Sequence, residues 1–169
     1  LWSDGAEKKR WLLLPGTQKV TFSATSSFRF PNGTAIVKHF ELPITPTTRR
    51  RLETRVLFKH TQGWAGYTYK WRQDQSDADL LADSVVESYQ VTNASGAVRS
   101  QRWYYPSRVD CLTCHTASSG RVLGVVTGQL HKNFNYSGVV DNQLRSWNHI
   151  GLFSTDIGNE SQYIAYPGY

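Results

Sequence analysis

The sequence of 169 residues contains no methionine and only two cysteines. The first absence removes the thioether from the side chains able to bind a metal. The second excludes a multi-disulfide framework, and it excludes the second Cys-x-x-Cys pair of a four-thiolate zinc site. No apolar run approaches the roughly 20 residues of a membrane-spanning helix. No internal repeat is evident, so a solenoid is not expected. Nineteen basic residues outnumber 13 acidic ones, giving a net charge of +6, and they are spread along the chain, with a cluster at Arg49-Arg50-Arg51. A nucleic-acid reader carries a denser basic stripe, so nucleic acid is not an expected partner. A basic surface suits an acidic protein partner instead.

What is present is concentrated in one stretch. Both cysteines fall in Cys111-Leu112-Thr113-Cys114-His115. Two thiols three positions apart can add to the two vinyl groups of one haem, and the imidazole that follows can ligate the iron. The spacing reads as a c-type haem attachment site, with one covalent haem c on Cys111 and Cys114 and with His115 as axial ligand. The competing readings are a redox disulfide and half of a zinc site. Zinc needs further ligands, and His39, His60, His131 and His149 are too scattered for a finger pattern.

Without methionine, the sixth position falls to a second histidine, to another side chain such as lysine, or stays open. His60 is the first choice. It ends a strand on which Leu52, Thr54, Val56 and Phe58 share its face, and that face is expected inside. His131, after an apolar segment close to the motif, is second. His39, sharing a face with Val37, is third, and His149 is last. Two nitrogen ligands favour an iron that cycles with little rearrangement. No catalytic residue is assigned: Glu53 and Arg55 read as a charged strand face, Lys38 as a solvated or salt-bridged lysine, and Trp2-Ser3-Asp4 holds no histidine for a hydrolytic triad.

Taken in order, the chain reads as an α+β protein. Val20 to Phe30, with aromatics at even positions, suggests strands. Ile36 to Leu42 and Leu52 to His60 read as strands, the latter paired across Gln62-Gly63 with an aromatic strand through Tyr67, Tyr69 and Trp71. Asp74 to Asp83 reads as a loop with one helical turn. Val85 to Val91 and Val98 to Tyr104 flank Asn93-Ala94-Ser95-Gly96 as a second hairpin. Val122 to Leu130 is a short helix or an apolar strand. Asn133 to Gly138 is a loop, and Val140, Leu144 and Trp147 follow helical spacing, which predicts a helix from about Val139 to Ile150. The expected division is a β-rich, sandwich-like domain of hairpins over 1–104, packing on the haem, and a small, mostly helical haem-binding segment over 105–169.

Several pieces together resemble one family. They are Leu1-Trp2-Ser3-Asp4-Gly5-Ala6, Phe30-Pro31-Asn32-Gly33-Thr34, Leu52-Glu53-Thr54-Arg55, Tyr69-Lys70-Trp71, Tyr105-Pro106-Ser107-Arg108, the Cys-x-x-Cys-His motif, and Leu123-Gly124 with Gln129-Leu130. The chain is similar to bacterial c-type haem proteins found alone or beside quinoprotein (sorbosone/glucose) dehydrogenase-like domains. Where that family commonly has Lys-Thr-Phe, this chain has Lys38-His39-Phe40. The resemblance implies periplasmic or extracellular electron transfer. The expected function is that of an exported monohaem cytochrome rather than an enzyme. Its expected partner is another redox protein or a fused dehydrogenase domain, with no transmembrane segment and with self-association left open. Two alternatives stand beside it: a haem enzyme or gas or peroxide sensor with an open iron face, and a haem-stabilised structural or self-assembling module. The opening residues read as internal to a longer protein.

Overall fold

Alternating apolar and polar residues build most of the chain. The computed structural model describes residues 4–167. Strands β1 (Glu7–Leu13), β2 (Ala35–Pro43), β3 (Arg49–His60), β4 (Gly63–Trp71) and β5 (Ala78–Leu80) form one antiparallel sheet in chain order. A separate hairpin pairs β6 (Val85–Thr92) with β7 (Val98–Tyr105). Helix α1 (Arg108–Cys114) follows, then α2 (Thr127–Leu130), a small hairpin of β8 (Asn133–Tyr136) and β9 (Val139–Asn142), and α3 (Gln143–His149). A single 3-10 turn spans Glu160–Gln162. The fold is α+β, with a β-rich N-terminal sheet region and a smaller C-terminal helical region.

Packing divides the chain differently from 1–104 and 105–169. One unit takes the described residues up to Leu13 with Thr34–Cys114; the other takes Leu14–Gly33 with the described residues from His115 onward. The boundary therefore falls inside the Cys-x-x-Cys-His motif. Helix α1 belongs with the sheet, and the aromatic stretch expected as strands belongs with the C-terminal part.

In the sheet unit, a cluster of Ala6, Phe40, Leu42, Leu52, Val91, Trp103 and Tyr105 joins one sheet face to the β6–β7 hairpin. The Phe40 and Trp103 rings meet edge to face, 5.6 Å apart. Which face of β3 turns inward is decided by one extra residue. Phe40 faces Glu53 and Glu41 faces Arg51, so Leu52 has no opposite number and forms a bulge. Beyond it the alternation changes phase. Leu52, Glu53 and Leu57 are buried, Val56 and Phe58 are half-buried, and His60 is exposed. The expectation that His60 ends an interior face is thus corrected.

The bulge buries a carboxylate. Glu53 has no exposed surface. Arg55 donates to it through Nε at 2.9 Å and Nη2 at 2.6 Å, and Trp103 Nε1 donates at 3.1 Å. A buried carboxylate is tolerated because these three donors replace its lost water.

The C-terminal unit packs around rings. Phe22 lies 5.5 Å from Phe28, 5.3 Å from Phe153 and 5.0 Å from Tyr163. Over Val20 to Phe30 the backbone makes only single bridges, Val20 to Phe153 and Thr21 to Arg29, so the strands expected there are absent. Even spacing of aromatics reflected a side-chain cluster, not a ladder. The helix expected from Val139 begins later. Ser137 (φ 54°) and Gly138 (φ 107°) turn the β8–β9 hairpin over residues read as loop and helix. Asn142 then caps α3, its side chain accepting from Leu144 N at 3.0 Å and Arg145 N at 3.3 Å. Of Val122 to Leu130 only the last four residues are helical, and the loop expected over Asp74 to Asp83 contains β5.

Arg55→Ala should destabilise the fold by about 3–5 kcal/mol, because it strands a buried carboxylate. Trp103→Phe, which removes one donor, should cost about 1–3 kcal/mol. Urea unfolding of the three proteins checks the order; equal midpoints would contradict it.

Candidate haem attachment site

Helix α1 is short, and its start is fixed by a reciprocal pair. Ser107 Oγ accepts from Asp110 N at 3.2 Å, and Asp110 Oδ2 accepts from Ser107 N at 2.8 Å. This is a capping box with aspartate in the third helical position. Tyr104 OH also donates to Asp110 Oδ2 at 2.6 Å. These bonds hold the Asp110 carboxyl below its ordinary range, the Tyr104 hydroxyl contributing most.

The helix places Cys111 and Cys114 three apart, on one side. They are not joined in a disulfide; Cys111 is half-buried and Cys114 exposed. Cys111 lies against β4, and Gly66 makes the approach feasible. A Cβ at Gly66 would stand 2.5 Å from Cys111 Cβ and 2.9 Å from its Sγ. Burial pushes the Cys111 thiol up from its ordinary range, while Arg55 and then the Thr68 hydroxyl act the other way. The Thr68 hydroxyl is buried and makes no well-formed hydrogen bond, so the weakly polar thiol is a poor partner for it.

His115 is oriented by the loop that follows. Its Nδ1 lies 2.5 Å from the carbonyl of Arg121. Arg121 returns a bond from Nη1 to the His115 carbonyl at 3.1 Å, and its own N–H closes the loop onto Thr116 O at 2.9 Å. Arg121 reaches this with φ 64°, after Gly120 at φ 75°. An imidazole whose Nδ1–H is donated to a carbonyl presents the lone pair of Nε2, the arrangement expected of a metal-ligating histidine.

The other histidines differ in how their nitrogens are used. His39 is buried; Nδ1 lies 2.8 Å from Thr54 Oγ1 and Nε2 3.3 Å from Glu41 Oε1, so both are engaged. His60 Nε2 lies 3.0 Å from Tyr67 OH, and its ring meets Phe58 at 4.7 Å. His131 is half-buried, with Nδ1 3.0 Å from the Tyr163 carbonyl, which repeats the pattern at His115. His149 is exposed at the end of α3. Among the described residues, no three or more His, Cys, Asp or Glu side chains are grouped to hold a metal ion, so a zinc site has no donor set here. No described helix is long and apolar enough to cross a membrane.

No family model matches the chain, no curated protein matches it, and no solved structure matches it. The chemistry of the site therefore rests on its own residues. Those residues suit a covalently held haem: two cysteines on one side of a helix without a disulfide, and a histidine with Nδ1 already spent. Of the pieces carrying the family resemblance, Leu1-Trp2-Ser3 lie outside the described residues.

Four supporting residues escaped the reading of the sequence. Ser107 and Asp110 carry the Ser-x-x-Asp spacing of a capping box, a legible signal of a helix start. Gly66 is an isolated glycine inside an aromatic strand, which marks a close backbone approach. Arg121 acts through its main chain, and no sequence pattern announces that.

Gly66→Ala should loosen α1 and destabilise the fold by about 1–3 kcal/mol, through overpacking against Cys111; thermal unfolding reads this. The Asp110 cap has a pH signature. A folded pKa below the unfolded one gives a contribution that is full above the ordinary carboxylate range, about 4, and lost as pH falls through the folded value. Hydrogen exchange of the first-turn amides of α1 should quicken in that acid window. The Asp110→Asn protein should show fast exchange at neutral pH already.

Proposed function

We propose that this chain is an exported monohaem c-type cytochrome that passes electrons to or from a redox partner. The carrying observation is the orientation of His115, whose Nδ1 is taken by the Arg121 carbonyl beside two cysteines on one side of α1. In this reading Cys111 and Cys114 hold the porphyrin by thioethers and His115 binds iron through Nε2. When bound, the haem supplies one-electron chemistry, with iron cycling between ferric and ferrous states. The chain's own contribution is positional. The capping box fixes where α1 starts, Gly66 lets Cys111 sit against the sheet, and the Arg121 loop holds the imidazole in one tautomer.

Hydrogen bonding reorders the candidates for the sixth ligand. His131 moves first, because its Nδ1 is bonded to a carbonyl as that of His115 is. His60 follows: it is exposed and shares Nε2 with Tyr67. His39 is last of the three, since ligation would cost it two bonds. The resemblance to haem proteins found beside quinoprotein dehydrogenase-like domains supports a periplasmic or extracellular setting and a redox protein, or a fused dehydrogenase domain, as partner.

Denaturing extraction with acidified organic solvent should leave the haem on the chain, and Cys111→Ala with Cys114→Ala should abolish retention. Complete release of haem from the unaltered chain would overturn the proposal. Electron paramagnetic resonance of His131→Ala should lose a bis-histidine signal while the haem stays attached. An unchanged low-spin signal would return the assignment to His60. A high-spin, carbon-monoxide-binding unaltered chain would favour the open-faced enzyme or sensor.

A further inference from the structure

One face of the sheet carries a row of like charges. Arg10 on β1 pairs with Lys38 on β2, Lys38 pairs with Arg55 on β3, and Arg55 pairs with Thr68 on β4. Direct partners across antiparallel strands project to the same side, and like charges placed so repel. Glu53 meets the charge of Arg55, which leaves Arg10 and Lys38 adjacent with like charge.

The middle cation is the most confined. Lys38 is half-buried, with Nζ 4.8 Å from the centre of the Phe40 ring; the Arg55 guanidinium lies 4.7 Å from the same centre. The charged groups acting on Lys38 are Arg10 and Lys8 from β1 and Arg55 and Glu53 from β3. Only Glu53 is negative, and it is already bound by Arg55 and Trp103. Burial and these cations bring the Lys38 ammonium down to about 8. Lys38 has no acidic partner within ion-pair distance among the described residues.

A second observation lies at the end of the row. Thr68 Oγ1 is the buried side-chain polar atom left without a hydrogen-bond partner among the described residues. The Cys111 thiol beside it is a weak partner, so the hydroxyl keeps hydrogen-bonding capacity that a ligand could use. The row thus holds two cations without an acidic partner among the described residues, Arg10 and Lys38, beside Arg55, whose charge is met by Glu53, and a buried hydroxyl at its end.

We propose that Lys38, between Arg10 and Arg55 and in line with Thr68, forms a binding site for a small oxyanion, a carboxylate or phosphate group. Two sources supply that chemistry. One is a free oxyanion. The other, which rests on the haem reading, is a carboxylate of the haem held at Cys111, the cysteine that lies against this end of β4.

Calorimetric titration with inorganic phosphate at constant ionic strength separates these. The full chain carrying Cys111→Ala and Cys114→Ala cannot attach haem and should bind phosphate saturably at one site. Adding Lys38→Gln should weaken binding at least about tenfold, the loss of one charge-assisted contact. Arg10→Gln should weaken it as well; Arg10 is exposed, so this variant keeps the test sound if Lys38→Gln fails to fold. Lys132→Gln, an exposed lysine of the other unit, should leave it unchanged. In the haem-bearing chain, retained phosphate binding identifies a free oxyanion as the ligand, and its loss identifies the haem carboxylates. Absence of saturable binding in the haem-free chain would overturn the site, and so would indifference to both Lys38→Gln and Arg10→Gln. Should the unaltered chain carry no haem, the haem reading fails separately, and the phosphate titration still decides the site.

Discussion

The contact between Cys111 and Gly66 is the constraint on which the proposed site depends. Helix α1 has only seven residues, too few to be stable alone. It gains its place from two sources: the Ser107–Asp110 cap at its start and the bare strand at Gly66 along its side. Any side chain larger than hydrogen at Gly66 would push the helix away and carry both cysteines with it. The same approach brings the Cys111 thiol to the buried Thr68 hydroxyl and into the field of Arg55. One small residue on one strand therefore couples the sheet's electrostatics to the motif.

A second coupling runs through the bulge at Leu52. By adding one residue to β3, it turns both Leu52 and Glu53 inward. The buried carboxylate then draws Arg55 and Trp103 together and ties the sheet to the β6–β7 hairpin. It also uses up the negative charge on that face. Arg10 and Lys38 remain with no acidic side chain left to balance them, which is why the row reads as a seat for an oxyanion rather than as a structural ion-pair network. Buried ion pairs roughly break even energetically, whereas a buried charge left without a partner is costly.

The boundary between the two packing units lies between Cys114 and His115, adjacent residues of the motif. Electron transfer needs little more from a protein than a haem held at fixed geometry with fixed ligands.

The sequence alone determined the local chemistry. Two cysteines and a histidine at that spacing carry the expectation of a haem linkage, and a sequence without methionine offers no thioether ligand. It also marked the strands over Ile36 to Leu42, Leu52 to His60 and through Tyr67, Tyr69 and Trp71, and the β6–β7 hairpin, because period-two alternation and turn residues are short-range signals. Only the tertiary structure decided which faces turn inward. A one-residue bulge at Leu52 reverses the alternation without leaving a mark in composition, so His60 lies outside and Glu53 inside. The aromatics from Phe22 to Phe30 likewise look like a strand by spacing, yet the ring partners of Phe22 and Phe28, Phe153 and Tyr163, lie more than a hundred residues away in sequence. The use of histidine nitrogens is decided the same way, since Thr54, Glu41, Tyr67 and the carbonyls of Arg121 and Tyr163 are brought to them by folding. Spacing along a chain reports which groups are present; hydrogen bonds between distant segments decide which of their atoms remain available.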